Sequence, residues 1–232
     1  MAVAKNQRAR LPLKSSAGGA QMPRPPKGER TRESILHVAV NLASVEGLEG
    51  VSIGRLADEL GMSKSGLFAH FGSKEDLQLA TVDMAREIFI EHVVRPAVAQ
   101  AEGMPRLRAL CDNWLGHVEQ RVFMGGCFFT AASFEFDSRP GPVRDRIVTV
   151  MKEWLNALSQ AVEGAKRAGH IKGSVDPRQL AFEIYSLAIG AHWGFQLLGD
   201  RRALKNARST ILARIRALAT RKCPPLRQDS SR

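Results

Sequence analysis

Cysteine is scarce in this chain: Cys111, Cys127 and Cys223 are the only three in 232 residues, and they lie far apart. That spacing excludes a disulfide framework or a cysteine-based metal cluster and fits a reducing cytoplasm. Long apolar runs are also missing, and nothing approaches the roughly 18 consecutive apolar residues of a membrane span. The opening MAVAKNQRARLPLKSSAGGA has no apolar core of a secretory signal, although its basic, acid-poor character weakly resembles a transit peptide. Enzyme signatures are absent as well. There is no HExxH, no GxxxxGK, no GxSxG and no clustered Cys/His set, so no catalytic residue, metal or cofactor is expected. Period-2 alternation bounded by hairpin turns is lacking too, which argues against a sheet, and no internal repeat is visible.

Charge is plentiful but unevenly placed. The formal net charge is +11. Residues 1–29 hold six Lys/Arg against Glu29, and residues 200–232 hold ten against Asp200 and Asp229. The intervening residues 30–199 carry eighteen basic and twenty acidic side chains. A nearly neutral centre with basic ends favours a polyanionic partner, without separating DNA from RNA or anionic lipid.

Pro23, Pro25, Pro26 and Gly28 interrupt regular structure, so residues 1–29 read as a disordered basic arm, with Met22 an alternative translation start. From Arg30 onward the pattern is helical. Ile35, Val38, Ala39 and Leu42 share one face of a first helix that ends near Gly47. Ile53, Leu56, Ala57 and Leu60 recur at helical spacing after Ser52, a suitable N-cap, and Gly61 stops that helix. Ser63 can cap a third helix burying Leu67 and Phe71. Ser73 with Asp76 opens a fourth, running to near Pro96. Further helices are predicted over 107–122, 127–136, along the Val143–Ala165 stripe, after Asp176-Pro177, and from Leu204 to Leu218. Residues 223–232 read as a disordered tail. The fold class is therefore all-α.

Two short helices joined by a three-residue turn containing glycine have the spacing of a helix-turn-helix. The same spacing also occurs in helical hairpins inside ordinary bundles. In the first case the second helix needs support from its neighbours to enter a major groove, and free N–H groups at its start attract phosphate.

The stretch LFAHFGSKEDL at residues 67–77 resembles the LYxHFxSKxxL signature of TetR-family transcriptional regulators. It follows IGRLADELGMS, similar to that family's IxxLAxxLGxS helix and turn. The resemblance covers residues 30–78. It implies a helix-turn-helix DNA-binding domain over 30–76 and a helical effector-binding and dimerisation domain over 77–222. It also implies that Lys64 and Ser65 face base edges or nearby phosphates, with Gly66 and Phe68 on the same helix, and that His70 and Lys74 contact phosphates. Ser52 and Ser63 would present helix N-termini to the DNA backbone. This chain departs from the pattern at Phe68, where the family has Tyr, and at Gly54, where many members carry Arg. Residues 30–75 hold five basic and six acidic side chains, so this unit lacks a general positive field.

For the second domain the resemblance implies a cavity for a small effector. Candidate lining residues are Trp114, Cys127, Phe128, Phe134, Trp154 and Trp193, although for any one of them plain core packing is the stronger reading. Few charges interrupt these helices, which favours an apolar or aromatic effector. Gly125-Gly126-Cys127 offers a second reading, a reactive thiol at a helix N-terminus. The last two long helices are the natural dimer surface, with Ile184, Leu187, Gly190, Ala191, Gly194, Phe195, Ile211 and Ile215 as candidates.

The expectation is a cytoplasmic homodimer, not an enzyme, that binds a palindromic operator in double-stranded DNA. It is read as a repressor released by a small molecule. The alternatives are a transcriptional activator or an architectural DNA-binding protein that needs no effector.

Overall fold

The computed structural model describes residues 27–226, and the expected arm over residues 1–26 and tail over 227–232 lie outside them. Ten α-helices order these residues: α1 Lys27–Glu46, α2 Ile53–Leu60, α3 Lys64–Phe71, α4 Lys74–Phe89, α5 Arg95–Val98, α6 Met104–Glu119, α7 Phe128–Phe136, α8 Pro142–Arg167, α9 Pro177–Leu198 and α10 Arg201–Leu218. Among the described residues extended pairing is confined to the single bridge between Ile171 and Ala219.

The first four helices begin and end where local chemistry dictates. Ser52 accepts from Arg55 N–H at 3.1 Å, and Ser63 accepts from Gly66 N–H at 3.1 Å. Ser73 accepts from Asp76 N–H at 3.0 Å while donating to the Asp76 carboxylate at 2.6 Å. Each such cap stabilises its helix by ~1 kcal/mol, a large share for helices of eight residues. Gly61 closes α2 at φ 62°, a left-handed conformation that a Cβ would penalise. Leu56 and Leu67, one from each short helix, are fully buried and belong to the same continuous core as Ile35, Ala39 and Val40 of α1. Burial of each such leucine contributes on the order of 2 kcal/mol. α1, α2 and α3 thus form a compact helix-turn-helix unit, and the later helices form a second, larger helical body.

Several boundaries differ from the sequence reading. α1 begins at Lys27, so residues 27–29 belong to a helix and not to the arm. Helix α6 starts three residues before Leu107, at Met104 with Pro105 in its first turn, and stops at Glu119. Pro96 does not stop the fourth helix. The chain passes from α4 through a π-helical turn, Ile90–Val94, directly into α5, which carries Pro96 in its first turn. The wider turn shifts the hydrogen-bond register just before the residue that lacks an N–H, so the path continues where a regular helix would break. Residues 223–226, expected in the tail, lie against the bundle, with Leu226 O accepting from Arg216 and Leu226 packed on the core.

Candidate nucleic-acid interface and effector cavity

Helix α3 is anchored on one side by Leu67 and Phe71, both buried. Lys64, Ser65, Phe68 and Ala69 are therefore exposed on its other side, and Phe68 is 55% exposed. Ser52 and Ser63 use their oxygens for capping, and the Ser63 hydroxyl also shares a hydrogen bond with the Ser65 hydroxyl at 3.3 Å. Gly66 serves the cap directly: a Cβ there would lie 3.0 Å from Ser63 Oγ. His70 is half-buried beside Phe71, with ring centroids 6.2 Å apart.

The nearby charges are mostly spoken for. Arg55 forms a two-pronged pair with Glu46, at 2.7 and 3.1 Å, and reaches Glu59 at 2.8 Å. It is locked between α1 and α2 and does not replace the arginine missing at position 54. Lys64 occupies part of the space that such a side chain would fill. Its Cε would be 3.6 Å from a Cβ at Gly54, so its side chain lies back over α2 in the space the glycine leaves. Lys74 donates to Glu49 at 2.6 Å, and the lysine's hydrogen bond holds the Glu49 carboxyl below its ordinary pKa.

The second site lies in the larger body, between α4, α6, α7, α8 and α9. Arg86 and Phe89 line it from α4, Trp114 from α6, Phe129 and Thr130 from α7 with Cys127 just before it, Val150, Met151 and Trp154 from α8, and Tyr185 from α9. The rings fill most of the space. Trp114 stacks on Tyr185 at 5.6 Å and meets Trp154 edge-on at 5.3 Å, while Phe89 meets Trp154 edge-on at 5.0 Å. About 10 Å³ stays open, roughly enough for one water, so a larger guest must displace a side chain. Met151, unbranched and flexible, is the wall element best suited to move. One edge of the wall is ionic: Arg86 Nε donates to Glu153 at 2.9 Å, with both side chains largely buried. Two polar atoms there have no partner among the described residues, Trp154 Nε1 and Glu153 Oε1. Burial pushes the Tyr185 hydroxyl up to about 12.

Of the expected lining residues, Trp114, Cys127 and Trp154 meet in this cavity. Phe128 is buried behind it, packed on Phe123 and Phe129. Phe134 and Trp193 are corrections: they are 64% and 56% exposed and do not line this cavity. Each sits on the outer side of its helix, where residue type alone is a misleading guide. Arg86, Phe89, Phe129, Thr130, Val150, Met151 and Tyr185 were missed, although Val150 is the i−4 neighbour of Trp154 on the α8 stripe. Cys127 is buried, and its N–H donates to His192 Nε2 at 3.0 Å. All three cysteines are free thiols.

Five of the eight expected dimer residues need the same correction. Ile184, Ala191, Gly194, Ile211 and Ile215 are buried within one chain, where α9 and α10 pack on each other and on the core. A Cβ on Gly194 would lie 2.9 Å from Ala203 Cβ, so its close approach is to α10 of the same chain. Leu187 and Phe195 are half-buried, and only Gly190 is exposed. The open apolar residues of α9 are instead Phe182, Trp193, Leu197 and Leu198.

Among the described residues no group of three or more His, Cys, Asp or Glu side chains is placed to hold a metal, and no helix is long and apolar enough to cross a membrane.

Comparison with known proteins bears on both sites. Residues 35–81 match the family model for bacterial regulatory proteins of the tetR family, and residues 103–211 match the tetracyclin repressor-like C-terminal domain. An HTH-type transcriptional regulator of Staphylococcus aureus (strain USA300) is 36% identical over 64 residues, which are 28% of this chain and 35% of that protein. The chain thus spans about a third of the length of the curated relatives it matches. A TetR transcriptional regulator from Chloroflexus aurantiacus J-10-FL superposes with a TM-score of 0.77 at 27% identity, covering 83% of this chain and 98% of that one. AibR in complex with isovaleryl coenzyme A and operator DNA superposes with a TM-score of 0.63 at 23% identity, covering 81% and 97%.

Proposed function

This chain belongs to the TetR family of bacterial transcriptional regulators, DNA-binding proteins and not enzymes, and from that premise we propose a homodimeric repressor with a small-molecule switch. In this reading the protein sits on a palindromic operator in the cytoplasm and leaves it when a small, largely apolar or aromatic molecule enters the aromatic cavity. Lys64, Ser65 and Phe68 of α3 face the major groove. His70 and Lys74 meet phosphates, and Ser52 and Ser63 offer helix N-termini to the backbone.

The observation that carries the reading is that one helix serves both sites. α4 begins with Lys74 directly after the recognition helix, and its far end presents Arg86 and Phe89 to the cavity. These ends are about 22 Å apart along the axis. A guest that displaces Phe89 therefore tilts the same rod that supports α3. Two recognition helices must match half-sites about 34 Å apart, so a small tilt mismatches the dimer. Ligand and operator then oppose each other reciprocally, with a coupling of roughly 1–3 kcal/mol. AibR, with the same fold, is known in complex with isovaleryl coenzyme A and operator DNA, so this fold has carried both a small-molecule partner and a DNA partner.

The test is to select bound genomic fragments in vitro and footprint the full-length protein on them. A palindrome with half-sites about one helical turn apart supports the operator reading. Release of that DNA by a neutral aromatic compound, and not by its charged analogues, supports the effector class. Binding without sequence preference would favour the architectural alternative.

A further inference from the structure

Helix α7 touches both sites, at opposite ends. Its start borders the cavity through Cys127, Phe129 and Thr130. Near its other end Glu135 reaches out of the larger body to the turn between α1 and α2. Glu135 Oε2 accepts from Leu48 N–H at 2.7 Å, and Oε1 accepts from Glu49 N–H at 2.9 Å. Both oxygens of one carboxylate are thus spent on adjacent backbone donors, a charge-assisted arrangement of high geometric specificity.

The turn is built to receive it. Gly47 has φ 87°, and a Cβ there would lie 2.9 Å from Glu135 Oε1, so the glycine both bends the chain and admits the carboxylate. The next residue, Leu48, is buried in the core. From this turn the contacts run on to α4. Gln78 donates to Leu48 O at 3.0 Å and to the Glu49 carboxylate at 3.2 Å, and Glu49 accepts from Lys74. The segment before α7 grips α1 a second time: Gly125 N–H donates to Ser44 Oγ at 3.0 Å. Here the two backbones are in close contact, since a Cβ on Gly125 would fall 1.7 Å from Ser44 O. Residues 125–135 therefore hold the end of α1 at two points, and the residues between those points line the cavity.

We propose that Glu135 is a positioning residue that transmits the state of the cavity to the DNA-binding unit through α7, separately from α4. A guest that shifts Phe129 or Thr130 moves a rigid nine-residue helix, and with it the carboxylate that sets the turn before α2 and, through Glu49, the direction of Lys74. The proposal rests on the operator reading above for its DNA readout, but the clamp itself can be tested without DNA.

Reciprocity supplies an assay that needs no identified effector. If the two sites are coupled, DNA bound at α3 must alter the cavity. With Trp193 replaced by Phe, which keeps a large apolar ring on the exposed side of α9, only Trp114 and Trp154, both in the cavity wall, report by fluorescence. Saturating this Trp193→Phe protein with the selected operator duplex is expected to change their emission. Adding Glu135→Ala is expected to reduce that change by at least about half while the duplex still binds at higher protein concentration. Glu135→Gln, which keeps one acceptor oxygen, is expected to fall between. In the free protein, amide exchange at Leu48 and Glu49 is expected to quicken about tenfold in Glu135→Ala. An emission change equal in both proteins, or none in either, would overturn the α7 route. Unaltered exchange at Leu48 and Glu49 would remove the clamp itself. Absence of any preferred duplex would instead defeat the operator reading, with the exchange measurement still deciding the clamp.

Discussion

Lys74 Nζ lies 2.6 Å from Glu49 Oε1, so the cation assigned to a DNA phosphate is held by a carboxylate in the free protein. Both side chains are nearly half exposed, and exposed pairs of this kind contribute only ~0–1 kcal/mol. Exchanging the carboxylate for a phosphate is therefore cheap, and Glu49 acts as a mild competitor of DNA. Lys74→Ala is expected to weaken binding to all duplexes evenly and to lower the slope of log K against log salt by about one. Glu49→Gln is expected to tighten binding several-fold. Fluorescence anisotropy over a salt series measures both, and an unchanged slope for Lys74→Ala would mean that Lys74 stays on Glu49 in the complex.

Arg86 and Glu153 join α4 to α8 at the cavity wall, with side chains only 12% and 7% exposed. A pair this buried is a weak source of net stability, but loss of Glu153 leaves the buried Arg86 guanidinium with only the exposed Glu87 carboxylate, 2.8 Å away. Glu153→Ala is therefore expected to cost somewhat less than the ~3–5 kcal/mol of a fully stranded buried charge in denaturant unfolding. The double change Arg86→Met with Glu153→Leu is expected to recover most of it. Recovered stability with a weakened operator response would identify the pair as a device that fixes the angle of α4. Equal losses in the single and double variants would show that packing and not charge governs this position.

His117 is 2% exposed, sits edge-on to Phe123 at 4.8 Å, and has no hydrogen-bond partner for either ring nitrogen among the described residues. Burial above all, and then the charge of His92, lowers its pKa from 6.5 to about 4. Below pH 6.5 the unfolded chain takes up a proton that the folded chain refuses, so stability falls as the pH drops towards 4. Its full loss across that window is about 3 kcal/mol. His192, also lowered by burial, must stay neutral at Nε2 to accept from Cys127 and acts in the same direction. Melting temperatures between pH 7 and 4 are expected to decline, and less steeply in His117→Phe. A profile identical in that variant would assign the acid sensitivity elsewhere.

The parts of this fold legible in the sequence are those governed by neighbours a few residues apart. Ser52, Ser63 and Ser73 cap as their spacing indicates, because a cap needs only the N–H three residues on. Pro96 misled because the π-helical turn that accommodates it is a change of backbone register with no residue signature. The cavity was half legible. Tryptophans advertise buried space, but Arg86 and Thr130 join them only through the packing of five helices. Glu135 was invisible for the same reason, since its partners lie 86 and 87 residues away. On α9 and α10 the apolar stripe was plain. Its period could not say whether it closes the chain's own core or meets a second chain.

That last ambiguity yields a sharp test. Phe182, Gly190, Trp193 and Leu197 fall at helical spacing along one exposed side of α9, roughly opposite the buried Ile184, Ala188 and Ala191. Three large apolar side chains open to water on one helix face make a patch that a second copy can cover, with Gly190 letting the helices approach closely. Trp193→Glu places a charge in that patch without touching the core. It is expected to give a folded monomer in sedimentation, with unchanged helix content and operator affinity reduced by at least tenfold, since one recognition helix alone reaches one half-site. Ile184→Glu, in contrast, buries the charge inside the chain and is expected to lower the melting temperature severely. A Trp193→Glu protein that stays dimeric would exclude this face of α9 as the interface.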